Sequence, residues 1–540
     1  MRSPPPGDRP SGGRPSGHPF GSTRYDGPTV KDTFYITSPI YYPNDVPHIG
    51  HAYNAVAVDL IARYHRLRGE RVFHLTGTDE HGLKLQRAAE SAGMDPKRWV
   101  DEMEPRWREV WARLDIAYDD YIRTTEARHS AAVVKLLQAV HDNGRDDIYL
   151  GSYEGLYCVP CELYYTEADL VDGTCPIHRR PVERMSEENY FFRLSAYTDR
   201  LLERYTSDPD AIQPEVRRNE VLSLIRGGLQ DFSISRTSFS WGVPLPWDPE
   251  HVTYVWFDAL TNYITAAGYA DDPDAFARTW PADIHLIGKD IVRQHAVYWP
   301  AMLMAGSVEP PKQVWAHGFL TVGGQKMSKT NATGIHPFQL IDEFGVDAYR
   351  YYFMREIQFG QDGNFSWESM VERHTADLAN GLGNLASRVL AMLESSFDGA
   401  VPAPTVDGAA ADLPKVVAER VRRVDELMLR VALSQAIGAV WEIVGRANQY
   451  LVEKQPWRMA KDEARREELG SVLYAAAETL RVLAVLISPI MPSASERLWQ
   501  QLGIPEPLSS VRLPEAGSWG GLRPGTVTKR AGSLFPRLDG

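Results

Sequence analysis

The pattern of apolar and polar positions changes once along this chain, from strands that alternate with helices to helices alone. Residues 34–37 are aromatic or β-branched and predict a strand, which Pro39 and Pro43 end. Apolar residues then recur at helical spacing over residues 52–64 and predict a helix. Alternation of strands with helices is typical of an α/β domain built on a parallel sheet.

Three further segments, residues 71–75, 284–290 and 314–319, predict strands of the same sheet. The carboxyl ends of parallel strands form the edge at which open α/β sheets bind ligands. We therefore expect Asp79, which follows the first of these strands, to lie in a binding site. The alternative for Asp79 is a helix N-cap.

From about residue 363 the pattern is helical throughout and predicts a separate helical bundle. Residues 400–414 read as a loop between its helices, and residues 517–540 as a mostly irregular, basic tail. Residues 1–30, rich in Pro, Gly and Arg, are predicted to be disordered.

Composition indicates a multidomain protein of 540 residues with a large core, since 43% of its residues are hydrophobic. No apolar run approaches the ~20 residues of a membrane helix, and no signal peptide is apparent, so we expect a cytoplasmic protein. The formal net charge of −13 argues against a protein that coats nucleic acid indiscriminately, but it leaves a tRNA partner open.

All three cysteines fall at metal-ligand spacing. Cys158 and Cys161 form one Cys-x-x-Cys pair, and Cys175 and His178 form a second pair thirteen residues later. Three thiolates and one imidazole complete a tetrahedron around Zn²⁺ and leave no open position, so the predicted zinc site is structural. Unpaired structural thiols are the alternative.

Two short motifs predict phosphate binding. His48 and His51 fall at the predicted start of a helix, where unpaired N–H groups and the dipole attract anions and Gly50 permits close approach. Lys326, Ser328 and Lys329 lie far downstream in the run Lys-Met-Ser-Lys-Thr, after a possible glycine hinge. The first motif taken alone is equally compatible with an ordinary helix start.

Together and in this order, the two motifs resemble the signatures of the class I aminoacyl-tRNA synthetases, in which a His-rich turn and a mobile lysine loop hold ATP from opposite sides. From about residue 33 onwards the chain is similar to the methionyl-tRNA synthetase family. The resemblance implies an α/β fold, with a Rossmann-type parallel-sheet catalytic domain that carries a zinc-bearing insertion, followed by an all-α helical-bundle anticodon-binding domain. The implied bounds are 31–120 and 236–362 for the halves of the catalytic domain, 121–235 for the insertion, 363–516 for the bundle and 517–540 for the tail.

The resemblance also implies a function and its residues. The reaction is formation of methionyl-adenylate and pyrophosphate from methionine and ATP with Mg²⁺, then transfer of methionine to the terminal ribose of methionine tRNA, for initiation and elongation of protein synthesis. The implied catalytic residues are His48, His51, Asp79, Arg236, Lys326 and Lys329, and ATP binding involves His48, Gly50, His51, Lys326, Ser328 and Lys329. Methionine lies against Ile40, Tyr42, Asp79, Trp256, Leu260, Tyr263 and His295, and the anticodon against Asn384, Arg388 and Trp457.

Some details of the resemblance limit what it implies. Leu260 departs from the pattern, because some family members have proline there. Trp256, Tyr263 and Trp457 would be core residues in an ordinary domain. The segment between residues 121 and 236 has no room for a large editing domain, and no appended tRNA-binding domain follows the bundle, so we expect a monomer. The alternatives are a synthetase for another amino acid, a small nucleotidyltransferase and a non-catalytic zinc RNA-binding protein.

Overall fold

The computed structural model describes residues 31–159, 163–165, 167–176, 179–322, 325–326, 335–405 and 412–538. A parallel sheet, here called the central sheet, forms its N-terminal part. From one edge to the other its six strands are Asp120–Arg123, Arg71–Thr78, Thr33–Thr37, Ile284–Gly288, Gln313–His317 and Ile212–Gln213. The strand order reverses direction between Thr33–Thr37 and Ile284–Gly288, and ligands of open α/β sheets bind at such a switch point.

The central sheet separates two hydrophobic cores. Neighbouring residues of one strand point to opposite faces, so Tyr35 belongs to one core and Ile36 to the other. The core that contains Ile36 continues without a break into the helical bundle, because Leu60, Tyr349 and Leu483 are buried in the same cluster. The bundle is therefore packed onto one face of the central-sheet domain.

The helices of the N-terminal part cover both faces of the central sheet. They are Ile49–Leu67, Leu83–Ser91, Pro96–Arg113, Ala127–His141, Thr198–Ser207, Glu215–Arg226, Val255–Leu260, Asn262–Ala266, Pro273–Thr279, Trp299–Ala305, Pro337–Phe344 and Val346–Glu356, with a π-helical turn at Gln294–Tyr298. The predicted strand at residues 34–37 and the predicted helix over residues 52–64 are both confirmed.

An antiparallel sheet, here called the inserted sheet, interrupts the domain. Its strands, in order across the sheet, are Leu163–Tyr165, Ile148–Cys158, Glu183–Phe192 and Phe232–Ser233, and a separate pair, Ser235–Arg236 with Val252–Thr253, follows. The predicted insertion at 121–235 is too wide. Strand Asp120–Arg123 crosses its first boundary, and strand Ile212–Gln213 inside it pairs with the central sheet. A local pattern does not reveal that the chain returns to a distant strand.

A three-stranded sheet, here called the loop-root sheet, precedes the bundle. Its strands are Leu320–Val322, Gln325–Lys326 and Gly363–Phe365. The bundle consists of helices Trp367–Arg373, Asn384–Phe397, Leu413–Leu429, Leu433–Lys454, Pro456–Met459, Arg466–Ile487 and Pro492–Gln501, with a π-helical segment at His374–Gly383. The change to an all-helical pattern near residue 363 is confirmed, because only Ser366 separates strand from helix there.

The tail predicted at residues 517–540 is irregular as far as residue 538 but is bound to the bundle. The buried carboxylate of Glu478 accepts the N–H groups of Gly520, Gly521 and Leu522 at 2.7–3.0 Å. Phe535 is 5% exposed. One described helical segment, Glu463–Ile487, has the length and hydropathy of a membrane span, and its apolar stretch is buried entirely within the protein.

Arg350 joins the domain to the bundle. Its guanidinium is fully buried and donates to Asp59 of helix Ile49–Leu67 at 2.6 Å. It also donates to the carbonyls of Leu114 and Asp115 and to those of Pro489 and Ile490 in the bundle, at 2.8–3.2 Å. Removing one partner of such a buried pair typically costs about 3–5 kcal/mol, because the other charge stays buried.

His74 in strand Arg71–Thr78 gives the fold a predictable pH dependence. Burial lowers its pKa to about 4, against the ordinary value of 6.5, despite the nearby charge of Asp59. Between these values the unfolded chain binds a proton that the folded protein does not, so stability falls as pH falls. The parent protein should lose about 2 kcal/mol of unfolding free energy between pH 7.5 and pH 5 through His74. We expect His74→Leu, which has no group to protonate there, to lack this part of the loss. Urea unfolding of both proteins at the two pH values measures this, and parallel pH dependences would contradict it.

Candidate active site

His48 and His51 form a reciprocal cap at the start of helix Ile49–Leu67. The N–H of Gly50 donates to His48 Nδ1 at 3.0 Å, and the N–H of His48 donates to His51 Nδ1 at 3.3 Å. The two rings stack with their centroids 3.8 Å apart. Because each Nδ1 accepts a hydrogen bond, the proton of each neutral ring is on Nε2. The pair therefore presents two fixed N–H donors, as an anion site requires.

This arrangement corrects one expectation and adds a second reason for Gly50. The N–H groups of His48 and Gly50 are bound by the imidazoles, so they are not unpaired donors for phosphate as predicted. A Cβ atom on Gly50 would lie 2.8 Å from Cε1 of His48. The glycine is therefore required by the cap itself, in addition to any approach of a ligand.

Asp79 follows strand Arg71–Thr78 at the same edge and is 3% exposed. Its N–H donates to the carbonyl of Tyr41 at 2.9 Å, which fixes it beside the segment that leads to His48. The next helix is capped by Gly82, so Asp79 is not a helix N-cap. The N-cap alternative is therefore wrong, and the role of Asp79 as a site residue stays a prediction.

Glu80, the next residue, is fully buried and is a structural anchor of this turn. Its carboxylate accepts hydrogen bonds from Thr78, Arg123 and Thr125 at 2.5–2.7 Å. These bonds tie the turn to the neighbouring strand Asp120–Arg123 and so hold Asp79 in place.

His81 continues the same turn into a buried polar chain. Its Nδ1 lies 2.7 Å from Oδ2 of Asp258, and Nε2 of His129 lies 2.8 Å from Oδ1 of Asp258. Burial opposes the charge of Asp258, but the two histidines outweigh it and hold the pKa of that carboxyl well below its usual range. Asp258 belongs to the same short helix as Trp256, so this chain fixes the helix that carries the aromatic residue.

Four of the seven predicted methionine residues share one hydrophobic core. Ile40, Trp256, Leu260 and Tyr263 all belong to the core on one face of the central sheet. Tyr42 is half-buried, and Nζ of Lys84 lies 4.1 Å from the centre of its ring. Leu260, which departs from the family pattern, is buried within helix Val255–Leu260.

His295 and Tyr263 are linked by a hydrogen bond whose direction is fixed. His295 Nδ1 is 2.9 Å from the carbonyl of Ile291, so Nδ1 carries the proton and Nε2 accepts from the Tyr263 hydroxyl at 2.8 Å. Burial lowers the pKa of His295 to about 4. Burial also raises the pKa of Tyr263 well above its usual value, and the charge of Asp79 adds to this effect. We call Ile40, Trp256, Leu260, Tyr263 and His295 the cage. Its groups are neutral, and the charge of Asp79 reaches Tyr263.

His285 packs against Tyr263 of this pair, and the sequence analysis did not predict it as a site residue. Its ring lies 4.1 Å from the ring of Tyr263 and is fully buried. Nε2 accepts from the indole of Trp299 at 3.3 Å, so Nδ1 donates to the hydroxyl of Thr37 at 2.8 Å. Burial holds the pKa of His285 well below its ordinary value. Its position in the predicted strand at residues 284–290 was the only signal in the sequence, and that signal does not distinguish a site residue from a core residue.

Arg236 is buried beside the inserted sheet. Nη1 donates to the hydroxyl of Ser233 at 2.7 Å and to the carbonyl of Ser235 at 2.6 Å. The guanidinium lies 4.2 Å from the ring centre of Tyr254, two residues before Trp256. Its described contacts therefore order the segment that leads into the cage.

The remaining predicted residues are described only in part. Lys326 ends the strand Gln325–Lys326 of the loop-root sheet, whereas Ser328 and Lys329 lie outside the described residues. Cys158 and Cys175 are buried, and Cys161 and His178 lie outside the described residues.

In the bundle, two of the three predicted anticodon residues meet. The guanidinium of Arg388 lies 5.2 Å from the ring centre of Trp457, and Trp457 is 39% exposed. Asn384 begins the helix that carries Arg388, one turn earlier. Because the indole is on the surface, the alternative of a core residue is wrong for Trp457.

Comparison with known proteins gives a consistent result. The sequence matches the family model for class I (M) tRNA synthetases over residues 34–184 and 178–390, and the model for the anticodon binding domain of methionyl tRNA ligase over residues 401–538. Methionine–tRNA ligase of Streptomyces coelicolor is 50% identical over 525 residues, which cover 94% of this chain and 97% of the relative. The enzyme of Caldanaerobacter subterraneus is 50% identical over 94% of this chain and 80% of its own length.

Solved structures agree. Mycobacterium tuberculosis methionyl-tRNA synthetase in complex with methionyl-adenylate superposes with a TM-score of 0.89 at 44% identity, over 94% of this chain and all of that one. The free state of the same enzyme gives a TM-score of 0.81 at 42% identity, over 94% of this chain and 99% of that one. With both halves of the sequence matched and the α/β-plus-bundle fold reproduced, this chain belongs to the methionine–tRNA ligase family of class I aminoacyl-tRNA synthetases.

Proposed function

We propose that this protein uses the residues at the carboxyl edge of the central sheet to convert methionine and ATP to methionyl-adenylate and pyrophosphate, and then transfers methionine to methionine tRNA. The observation that supports the proposal is that the His48–His51 donor pair and the cage both lie beside the end of strand Thr33–Thr37, at the switch point. The ring of His51 is 5.3 Å from that of Tyr41, and His285, which packs against Tyr263, is hydrogen-bonded to Thr37. An amino acid in the cage and a nucleotide at the donor pair are then adjacent. A soluble, ATP-dependent ligase is what the family implies, whereas the cytoplasmic location and the monomeric state remain predictions.

The first step needs positioning more than proton transfer. A methionine carboxylate oxygen bonds to the α-phosphorus of ATP, and the bond to pyrophosphate breaks. Because the carboxylate is already ionised at neutral pH, no side chain has to remove a proton from it. In this proposal Nε2–H of His48 and of His51 donate to phosphate oxygens, and Lys326 and Lys329 neutralise the departing pyrophosphate, with Ser328 between them and Mg²⁺ accompanying ATP.

The cage selects the side chain. A thioether gains contact with the rings of Trp256 and Tyr263 and with Ile40 and Leu260, and it needs no hydrogen-bond donor there. The Tyr263 hydroxyl already donates its proton to His295, so it cannot donate to a polar side chain of a bound amino acid. Asp79 binds the ammonium group, with Tyr42 at the rim and Arg236 ordering the segment behind Trp256. In the second step a ribose hydroxyl of the tRNA attacks the methionyl carbonyl and AMP leaves.

The inserted sheet is proposed to hold one structural zinc ion. The donor set of three thiolates and one imidazole suits zinc, and the two described thiols are both buried. Around Cys175, the N–H of Arg179 donates to the Cys175 carbonyl at 2.8 Å, and the N–H of Cys175 donates to the carbonyl of Arg180 at 2.9 Å. This tight turn is compatible with a ligand knuckle that includes His178.

Arg388, Trp457 and Asn384 are proposed to read the anticodon. An exposed indole already covered on one side by a guanidinium offers a stacking surface, and Asn384 adds edge hydrogen bonds. The bundle would then select the tRNA while the central sheet performs the chemistry.

We expect ATP–pyrophosphate exchange with methionine and with no other amino acid in a panel of the standard twenty, because the neutral cage rejects charged and hydrogen-bonding side chains. Lys329→Ala is the control for a contaminating synthetase, and it should slow exchange by roughly 10²-fold or more. Exchange with a different amino acid, or an undiminished rate in the variant, would refute the proposed function.

We expect one zinc ion per purified chain. Cys158→Ser should lower the zinc content and the thermal stability of the inserted sheet, since thiolates hold the metal and the module has a small core. Metal analysis and thermal unfolding measure the two effects. His141→Ala, a partly exposed histidine of another helix, is the matched control and should keep its zinc. The zinc site would be excluded if the parent protein held well under one equivalent of zinc and Cys158→Ser were as stable as the parent.

We expect Trp457→Ala to leave methionine-dependent exchange nearly intact while it reduces aminoacylation of methionine tRNA, because loss of one stacking ring typically costs about 1–3 kcal/mol per base. Trp367→Ala is matched in exposure, at 43% against 39%, and should preserve both activities. If both activities of Trp457→Ala fall together with its melting temperature, the ring has a packing role and the anticodon assignment is wrong.

A further inference from the structure

A cation outside the two signature motifs lies at the carboxyl edge of the central sheet. Lys289 is the first residue after strand Ile284–Gly288, which borders the switch point. Its Nζ lies 2.7 Å from both carboxylate oxygens of Asp362 and 4.5 Å from the ring centre of Phe319. The side chain of Lys289 is 20% exposed, so the ion pair is held against the protein.

Asp362 holds the other side of this contact. Its Oδ1 accepts the backbone N–H of Phe319 at 2.8 Å. Directly after it, the N–H of Gly363 donates to the carbonyl of Phe319 at 2.9 Å. One carboxylate therefore joins Lys289 at the sheet edge to Phe319, the residue immediately before the loop-root sheet.

The segment that contains Gly318 and the segment that contains Gln361 and Asp362 are in direct backbone contact. A Cβ atom on Gly318 would lie 2.3 Å from the carbonyl group of Gln361 and 2.5 Å from the nitrogen of Asp362. Beyond this contact, Leu320 pairs with Gly363 and Val322 with Phe365 in a parallel ladder. No side chain fits between the segments, so their separation is set by the backbone and their lateral position by the ion pair.

The loop-root sheet leads to the lysine motif within a few residues. Thr321 pairs with Lys326 and Val322 with Gln325. Phe319 is thus fixed to the central sheet at one end of a strand whose antiparallel neighbour carries Lys326. A lateral shift at Phe319 is transmitted to Lys326 through this strand pairing.

We propose that Lys289 and Asp362 are positioning residues that set the register between the lysine motif and the sheet edge where methionine and ATP meet. The inference rests on the proposed function, because it assigns the ion pair to the step in which pyrophosphate departs. Lys289 acts through Asp362 and Phe319, and it does not contact the substrate.

The chemistry of the contact agrees with this role. Asp362 is 52% exposed, and ion pairs so exposed contribute little to global stability. Displacement of a catalytic group by about 1 Å, in contrast, can cost about 10²-fold in rate. Loss of the pair should therefore affect kcat much more than folding or methionine binding.

The experiment is a double-mutant cycle with Lys289→Met, Asp362→Asn and the double variant, assayed by methionine-dependent ATP–pyrophosphate exchange. We expect each single variant to lose about 10- to 100-fold in kcat with an unchanged KM for methionine, and the double variant to be no worse than either single variant. The reversed pair Lys289→Asp with Asp362→Lys should recover at least part of the lost rate. Melting temperatures should stay close to that of the parent protein.

Lys312→Met is the matched control. Lys312 also forms an ion pair with an aspartate, since its Nζ lies 2.8 Å from Oδ1 of Asp283. This pair lies at the opposite end of the central sheet. Its exchange kinetics should equal those of the parent protein.

Three outcomes separate the possibilities. If Asp362→Asn keeps the parent kcat while Lys289→Met loses it, Lys289 contacts the substrate directly and the positioning role is wrong. If all variants lose rate in proportion to a fall in melting temperature, the pair is merely structural and the inference also fails. If the parent protein shows no methionine-dependent exchange, the proposed function itself is wrong, which is distinguishable from failure of the ion-pair role alone.

Discussion

The buried contact between Asp59 and Arg350 is the constraint on which the architecture depends. All five N–H groups of Arg350 are needed to satisfy one carboxylate and four carbonyls, and these acceptors belong to the helix of the donor pair, to the turn after helix Pro96–Arg113 and to the bundle. Asp59 in turn accepts Nε of Arg63 at 2.7 Å and the N–H of Ala117 at 2.8 Å. Because a buried charge tolerates only a complete set of partners, these pieces occupy one relative arrangement.

The same logic of fixed partners determines the electrostatics of the site. His48, His51, His285 and His295 each have one ring nitrogen whose role is set by a backbone group or an indole, and this assigns the proton to the other nitrogen. The imidazoles therefore serve as dipoles of known direction. A cage lined by neutral groups beside a single carboxylate, Asp79, suits a zwitterion that carries an apolar side chain.

Much of this was predictable from sequence because the signals are local. Residues 34–37 and the helix after them are recognisable from residue type and spacing. The zinc site that the cysteine spacing indicates stays a prediction. No such local signal marks Asp258, Arg350 or His285, because their roles depend on partners that are distant in sequence. Arg350 and Asp59, for example, are 291 residues apart. The insertion boundary failed for the same reason, because strand Ile212–Gln213 pairs with a strand about a hundred residues later. The cap at His48 shows a third limit, since the spacing of two histidines does not reveal which ring nitrogen the backbone uses.

The order of strands in the central sheet has a consequence for synthesis on the ribosome. Strand Thr33–Thr37 pairs on one side with Arg71–Thr78, which is translated soon afterwards, but on the other side with Ile284–Gly288. At roughly 5–20 residues per second, the nascent chain takes about 10–40 s to extend from one partner to the other. During that interval an apolar strand has an open edge of N–H and C=O groups, which is the surface that aggregation uses. The inserted sheet, whose strands pair between residues 148 and 233, is complete within this interval. The edge therefore stays open on the nascent chain until strand Ile284–Gly288 emerges, unless a chaperone or nascent structure shields it.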